Sequence, residues 1–165
     1  MKRLIALAMA SLVAVPSYAA DAAGAACATT HVDLMRATRY TELVRMNGSG
    51  QCASRSVPNF VALCTQIGQL SDAAIEGIAL PMIKKSVSCD MAKSALTFWA
   101  TPDGKVISKK VMQGIARGSG PVLTSRESAL YEQFMGSPAG QTMNLYTNNN
   151  QVNSAILTRI AAYKR

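Results

Sequence analysis

The chain carries few groups able to do chemistry, and their spacing excludes several reactions at once. His31 is the single imidazole. A Ser-His-Asp or Cys-His hydrolase needs a base beside its nucleophile, and His31 lies in the segment Thr30-His31-Val32-Asp33, which reads as the first turn of a helix with the ring on its surface. A zinc site needs several His, Cys or carboxylate ligands, and one His with no Cys-x-x-Cys does not supply them. Of the acids, Asp33, Asp72, Asp90, Asp103 and Glu127 read as first-turn helix charges. Glu42, Glu76 and Glu132 stand beside polar neighbours and read as solvated faces, which leaves no carboxylate pair set up for glycoside hydrolysis. Gly118-Ser119-Gly120-Pro121 lacks the Lys-Ser/Thr of a phosphate loop. The expectation is a non-enzymatic protein without cofactor or metal.

The four cysteines, Cys27, Cys52, Cys64 and Cys89, have a different use. Met1-Lys2-Arg3, an apolar stretch of 12 residues from Leu4 to Val15, and Pro16-Ser17-Tyr18-Ala19 ending in small residues form a secretory leader too short to span a membrane. Residues 1–19 are the expected signal peptide and 20–165 a single helical domain. The brief leader is of the bacterial kind and places the protein in the periplasm. An even cysteine count in an exported chain predicts two disulfides. A helix of about 17 residues between Cys27 and Cys52 would hold them roughly 25 Å apart, beyond the reach of a disulfide. Antiparallel packing of successive helices then suggests Cys27–Cys64 and Cys52–Cys89.

The elements that must position these groups all read as helices. Val32, Met35, Leu43 and Met46 share a face, and Asn47-Gly48-Ser49-Gly50 ends that run. Pro58 opens a helix with Phe60, Leu63 and Ile67. Ser71-Asp72 caps a third, in which Pro81 should kink or shorten the helix. Ser88 caps a fourth through Phe98 and Trp99. Val106, Ile107, Val111 and Ile115 define a fifth, and Thr124-x-x-Glu127 is a capping box opening a sixth. A short helix around Met143 and a last one with Val152, Ile156 and Ile160 follow. No period-two alternation lasts long enough for a strand. The expected fold is an all-α bundle of about seven or eight helices.

Two segments repeat one pattern at an offset of 36: Phe98-Trp99-Ala100-Thr101-Pro102-Asp103-Gly104-Lys105 and Phe134-Met135-Gly136-Ser137-Pro138-Ala139-Gly140-Gln141. Thr101 and Ser137 can cap a helix. Pro102 and Pro138 suit the first helical position. Gly104 and Gly140 allow a close approach in the first turn. The pattern predicts a helical corner used twice, with Phe98 and Phe134 buried.

Removal of Lys2 and Arg3 with the leader leaves 15 basic residues against 9 acids, a net charge of +6. Lys105, Lys109 and Lys110 form the candidate basic contact face, with Lys84-Lys85, Lys93 and Lys164-Arg165 elsewhere. Such a surface attracts an acidic protein, anionic lipid or cell-wall polymer. An exported protein seldom meets nucleic acid, so none is expected as partner.

With these residues in view, the chain resembles a bacterial family of exported, all-helical domains of unknown function. That family is marked by a helix ending Phe-Tyr-x-Ser-Pro-x-Gly-Gln, matched here by Phe134 to Gln141, and by an opening helix like Asp33-Leu34-Met35-Arg36-Ala37-Thr38. The similarity covers much of residues 30–146. Met135 and Trp99 stand where the family carries its second aromatic. The resemblance transfers no catalytic residue. Some similar exported proteins are thought to be immunity proteins against secreted antibacterial toxins. It therefore implies a periplasmic, non-catalytic protein that neutralises a toxin by stoichiometric binding, the alternative being a basic module held on anionic lipid or cell wall.

Overall fold

The computed structural model describes residues 17–54, 60–147 and 149–164. Among these residues there are nine α-helices and no strand, tied by two disulfides. The all-α expectation therefore holds. The expected leader falls largely on residues 1–16, and the expected opening of the second helix falls on Pro58; both lie outside the described residues.

The extra helix comes from the first segment. α1 (Ser17–Ala37) and α2 (Tyr40–Ser54) meet at a tight turn in place of one continuous helix from residue 30. Arg39 takes a left-handed backbone, φ 57°, and the Thr38 hydroxyl donates to Leu34 O at 2.8 Å, closing the end of α1. The apolar spacing from Val32 to Met46 bridged this turn and concealed it. Thr30 caps nothing, because α1 runs straight through it, and Asp33 is an exposed residue far from the helix start. Gly48 does not end a helix either. It is buried where a Cβ would come within 2.8 Å of Ile67, so it is the small residue that lets α2 close on α3 (Phe60–Ile67).

His31 is the plainest correction. It is 1% exposed, in the interior of α1. Its Nε2 lies 2.8 Å from Val87 O and its Nδ1 2.7 Å from Cys27 O. A neutral ring carries one N–H and can donate to one of these carbonyls; a ring protonated on both nitrogens donates to both. Donating from Nε2, the imidazole fastens α1 to Val87 at the end of α4 (Asp72–Ser86). Ser71 caps α4, accepting from Ala74 N. Pro81 does not shorten α4, which continues to Ser86. Both Pro81 and Gly77, whose carbonyl loses its usual partner, are exposed, so water can satisfy that group.

α5 (Cys89–Trp99) packs along α1, and α8 (Pro138–Tyr146) packs against α5. α9 (Asn150–Ala161) closes over α3 and α4, with Ile156, Leu157 and Ile160 all at most 2% exposed. Burial of each such side chain contributes roughly 1.5–3 kcal/mol. One apolar core runs through Leu34, Tyr40, Ile75, Ile83, Ile107 and Ile160.

The disulfides are Cys27–Cys89 and Cys52–Cys64, with Cα–Cα distances of 5.4 and 5.6 Å. This corrects the pairing Cys27–Cys64 and Cys52–Cys89. That pairing assumed that neighbours in sequence are neighbours in space. Cys27 instead lies partway along α1, whose partner is α5, and Cys89 is the first residue of α5. Cys52, near the end of α2, meets Cys64 on the adjoining α3.

The repeated segments form two matching corners. α5 turns into α6 (Pro102–Ala116), and α7 (Ser125–Met135) turns into α8. Thr101 Oγ1 accepts from Gly104 N at 3.0 Å and donates to Phe98 O at 2.7 Å. Ser137 Oγ accepts from Gly140 N at 3.1 Å and donates to Phe134 O at 2.6 Å. Each hydroxyl thus ends one helix and begins the next. A Cβ on Gly104 would lie 2.2 Å from Phe98 O, and one on Gly140 2.0 Å from Phe134 O; only glycine fits. The corners also touch each other. Phe98 and Phe134 stack with ring centroids 4.2 Å apart and planes 8° from parallel. Phe134 is buried as expected, whereas Phe98 is only half-buried.

Candidate functional site

Two hollows flank the paired corners. The inner one is a cavity of about 260 Å³. Its apolar wall includes Leu43 of α2, Val111, Met112 and Ile115 of α6, Met135 of α7 and Met143 of α8. Tyr40, Trp99 and Tyr131 add aromatic surface. Trp99 is fixed by edge-to-face contacts with Phe98 at 5.0 Å, Phe134 at 5.2 Å and Tyr131 at 6.3 Å. The corner motif therefore positions one wall of the cavity.

Several polar groups around it bond within the protein. Thr38 and Thr147 donate back to the helical carbonyls of Leu34 and Met143, and Tyr40 donates to Asn153 Oδ1 at 3.3 Å. Trp99 Nε1 and Ser108 Oγ, by contrast, are closed to solvent and have no protein partner. Burial pushes the phenols of Tyr40 and Tyr131 above their ordinary range, so both stay neutral. No Lys, Arg, Asp or Glu lines the cavity.

Ser108 was missed in the sequence, although a signal existed. It falls on the stripe of Gly104, Ile107, Val111 and Met112, a lone hydroxyl among inward positions. The stripe itself sits a little off the expected one: Val106 and Ile115 are 46% and 43% exposed, and Ser108 and Met112 are buried in their place.

The outer hollow is shallow and rimmed by charged side chains. Arg36 and Arg39 from the α1–α2 turn, Lys105 from α6 and Asp33 surround a floor of Ala37, Leu96 and Ala100. Arg36 is anchored by a two-pronged pair with Glu76, Nε–Oε1 and Nη2–Oε2 both 2.9 Å. Glu76 is 6% exposed and hence not a solvated face, while the Arg36 side chain stays 61% exposed. Arg39 pairs with Glu42. The Glu76 bonds raise the affinity of the Arg36 guanidinium for its proton. Structure thus gathers Arg36 and Arg39, which the sequence reading did not single out, around Lys105.

The candidate basic face is accordingly revised. Lys105 and Lys109, one helical turn apart, are both exposed. Lys110 turns toward α7, where Nζ contacts both Glu127 oxygens at 2.7 and 2.6 Å. Glu127 also completes the capping box, accepting from Thr124 N at 2.7 Å. Lys110 holds α6 to α7 and is not part of an open contact face. The four cysteines tie helices, and the eight motif residues build corners. No group of three or more His, Cys, Asp or Glu among the described residues is placed to hold a metal ion.

Comparison of the chain with family models, with curated proteins and with solved structures gives no match. The site's own geometry carries the functional argument.

Proposed function

We propose that the chain is an exported, non-catalytic binding protein that holds an acidic protein partner by stoichiometric occlusion, most concretely an immunity protein that neutralises a toxin delivered to the periplasm. The observation that carries this reading is the outer hollow: Lys105 stands with the Glu76-paired Arg36 and the Glu42-paired Arg39 around a small apolar floor, and Lys109 is exposed one turn further along α6. A patch with an apolar centre and a charged rim suits protein recognition. The Arg36–Glu76 pair fixes the guanidinium before a partner arrives, which lowers the ordering cost of binding. Two disulfides suit an oxidising compartment, and among the described residues no helix is long and apolar enough to cross a membrane. The resemblance to exported helical domains adds the immunity role.

The test is capture from periplasm and from toxin-exposed cells with wild type and with Lys105→Glu/Lys109→Glu. Wild type should recover an acidic protein at one-to-one ratio, and the charge reversal should weaken that capture roughly tenfold or more. The immunity role fails if deleting the gene leaves cells fully resistant to the toxin recovered. The same cations could instead rest on anionic lipid or cell wall. Co-sedimentation with anionic vesicles or sacculi that is lost at about 0.5 M salt, with no protein captured, would decide for that alternative.

A further inference from the structure

We propose that the Cys27–Cys89 bridge is a redox-sensitive tie, an exchangeable disulfide that an external dithiol opens in the folded protein, while Cys52–Cys64 is the durable one. This device is separate from the outer hollow and does not depend on the partner-binding reading.

The chain's single imidazole sits at this bridge. Cys27 Sγ lies 3.7 Å from His31 Nδ1, and His31 is 1% exposed. Both ring nitrogens face carbonyl oxygens, Nδ1 that of Cys27 at 2.7 Å and Nε2 that of Val87 at 2.8 Å. A ring protonated on both nitrogens satisfies both contacts in full, and a neutral one does not. The positive charge of such a ring has no counterpart in the oxidised bridge. Reduction supplies one: a Cys27 thiolate beside the imidazolium forms an ion pair that the disulfide lacks. A neighbouring protonated histidine favours thiolate over thiol, and a stabilised thiolate leaves faster in exchange.

Cys27 and Cys89 are both partly exposed, so a small reagent has access to the bridge. Exchange then runs in two steps. A thiolate of the dithiol attacks Cys89 Sγ, the bond between Cys27 and Cys89 breaks, and Cys27 leaves as a thiolate beside the ring. The second sulfur of the dithiol, as a thiolate, then attacks the first in the mixed disulfide and releases Cys89. Two electrons pass from the dithiol to the bridge; one of its two protons ends on Cys89 and the other in water. Val87 stands two residues before Cys89, so bridge and imidazole hold the same place. Opening removes the covalent tie between α1 and the α4–α5 junction.

The experiment incubates the folded, oxidised protein with dithiothreitol at neutral pH without denaturant. Free thiols are trapped with N-ethylmaleimide over time, and each bridge is mapped by mass spectrometry. Cys64 is exposed whereas Cys27 and Cys89 are only partly so, so access alone would open Cys52–Cys64 first. The reverse order is expected, with Cys27–Cys89 opening roughly tenfold faster. Loop length does not set this order, because it acts on the unfolded chain. His31→Gln keeps an amide donor for Val87 O and removes the imidazole. It should slow the opening of Cys27–Cys89 roughly tenfold and leave Cys52–Cys64 unchanged. A histidine that serves only to hold helices together would act in the opposite sense, since its loss loosens the joint and exposes the bridge. Cys52–Cys64 opening first, or both bridges opening together, overturns the proposal in the wild-type protein without recourse to any variant. An unchanged or faster opening of Cys27–Cys89 in His31→Gln overturns it as well.

Discussion

At the scale of the residue, Gly104 and Gly140 do what no other side chain can. The first turn of each new helix lies against the carbonyl that ends the previous one, and a Cβ would sit 2.2 or 2.0 Å from that oxygen. Because the obstacle is backbone, relief requires the corner to open. Gly104→Ala and Gly140→Ala should each cost roughly 2 kcal/mol or more, measured by urea unfolding. Gly77→Ala meets nothing within 4 Å and should instead stabilise α4 by about 0.5–1 kcal/mol; a matching loss there would show that the corner argument is wrong. His31→Ala should cost roughly 2–4 kcal/mol, since it removes a buried ring and the bond to Val87 O. The corner was legible because hydroxyl, Pro and Gly each act within one turn of chain. The burial of His31 was not, because its partner Val87 is 56 residues away and no local pattern records a long-range carbonyl.

At the scale of the element, caps were legible and pairings were not. Ser71, Ser88, Thr101, Thr124 and Ser137 all cap helices, since a cap is a contact between residues three apart. Which helix lies beside which depends on the assembled core, and the disulfide assignment failed there. Peptide mapping of the oxidised protein should yield Cys27–Cys89 and Cys52–Cys64. These bridges close separations of 62 and 12 residues, and loop entropy makes the longer one worth more, about 4 against roughly 3 kcal/mol. Replacing Cys27 and Cys89 by Ser should therefore lower stability further than replacing Cys52 and Cys64. The α6–α7 tie has a pH signature. Lys110 first, and then the Thr124 backbone N–H, hold the Glu127 carboxyl below its ordinary range. Its contribution is fully present above the ordinary glutamate range and is lost as the pH falls through the lowered folded value. Wild type should be more stable than Glu127→Gln at neutral pH, and the gap should close in the acid range; a gap that widens on acidification would contradict the pair.

At the scale of the whole molecule, charge and cavity occupy different places. The net basic character and the Lys105, Lys109 and Lys110 cluster were visible in the sequence, yet the structure redistributes the charges: Lys110 is drawn into α6–α7 packing, and Arg36 and Arg39 join Lys105 through a turn that periodicity had concealed. The central claim is that this outer hollow holds an acidic protein partner. The most direct measurement is the affinity of the captured partner for wild type and for Lys105→Glu/Lys109→Glu, both shown to be folded, at about 0.05 and 0.5 M salt. The account predicts a one-to-one complex that the charge reversal weakens roughly tenfold or more at low salt, with the difference shrinking as salt screens the surface. Equal affinity of the two proteins at low salt would contradict it.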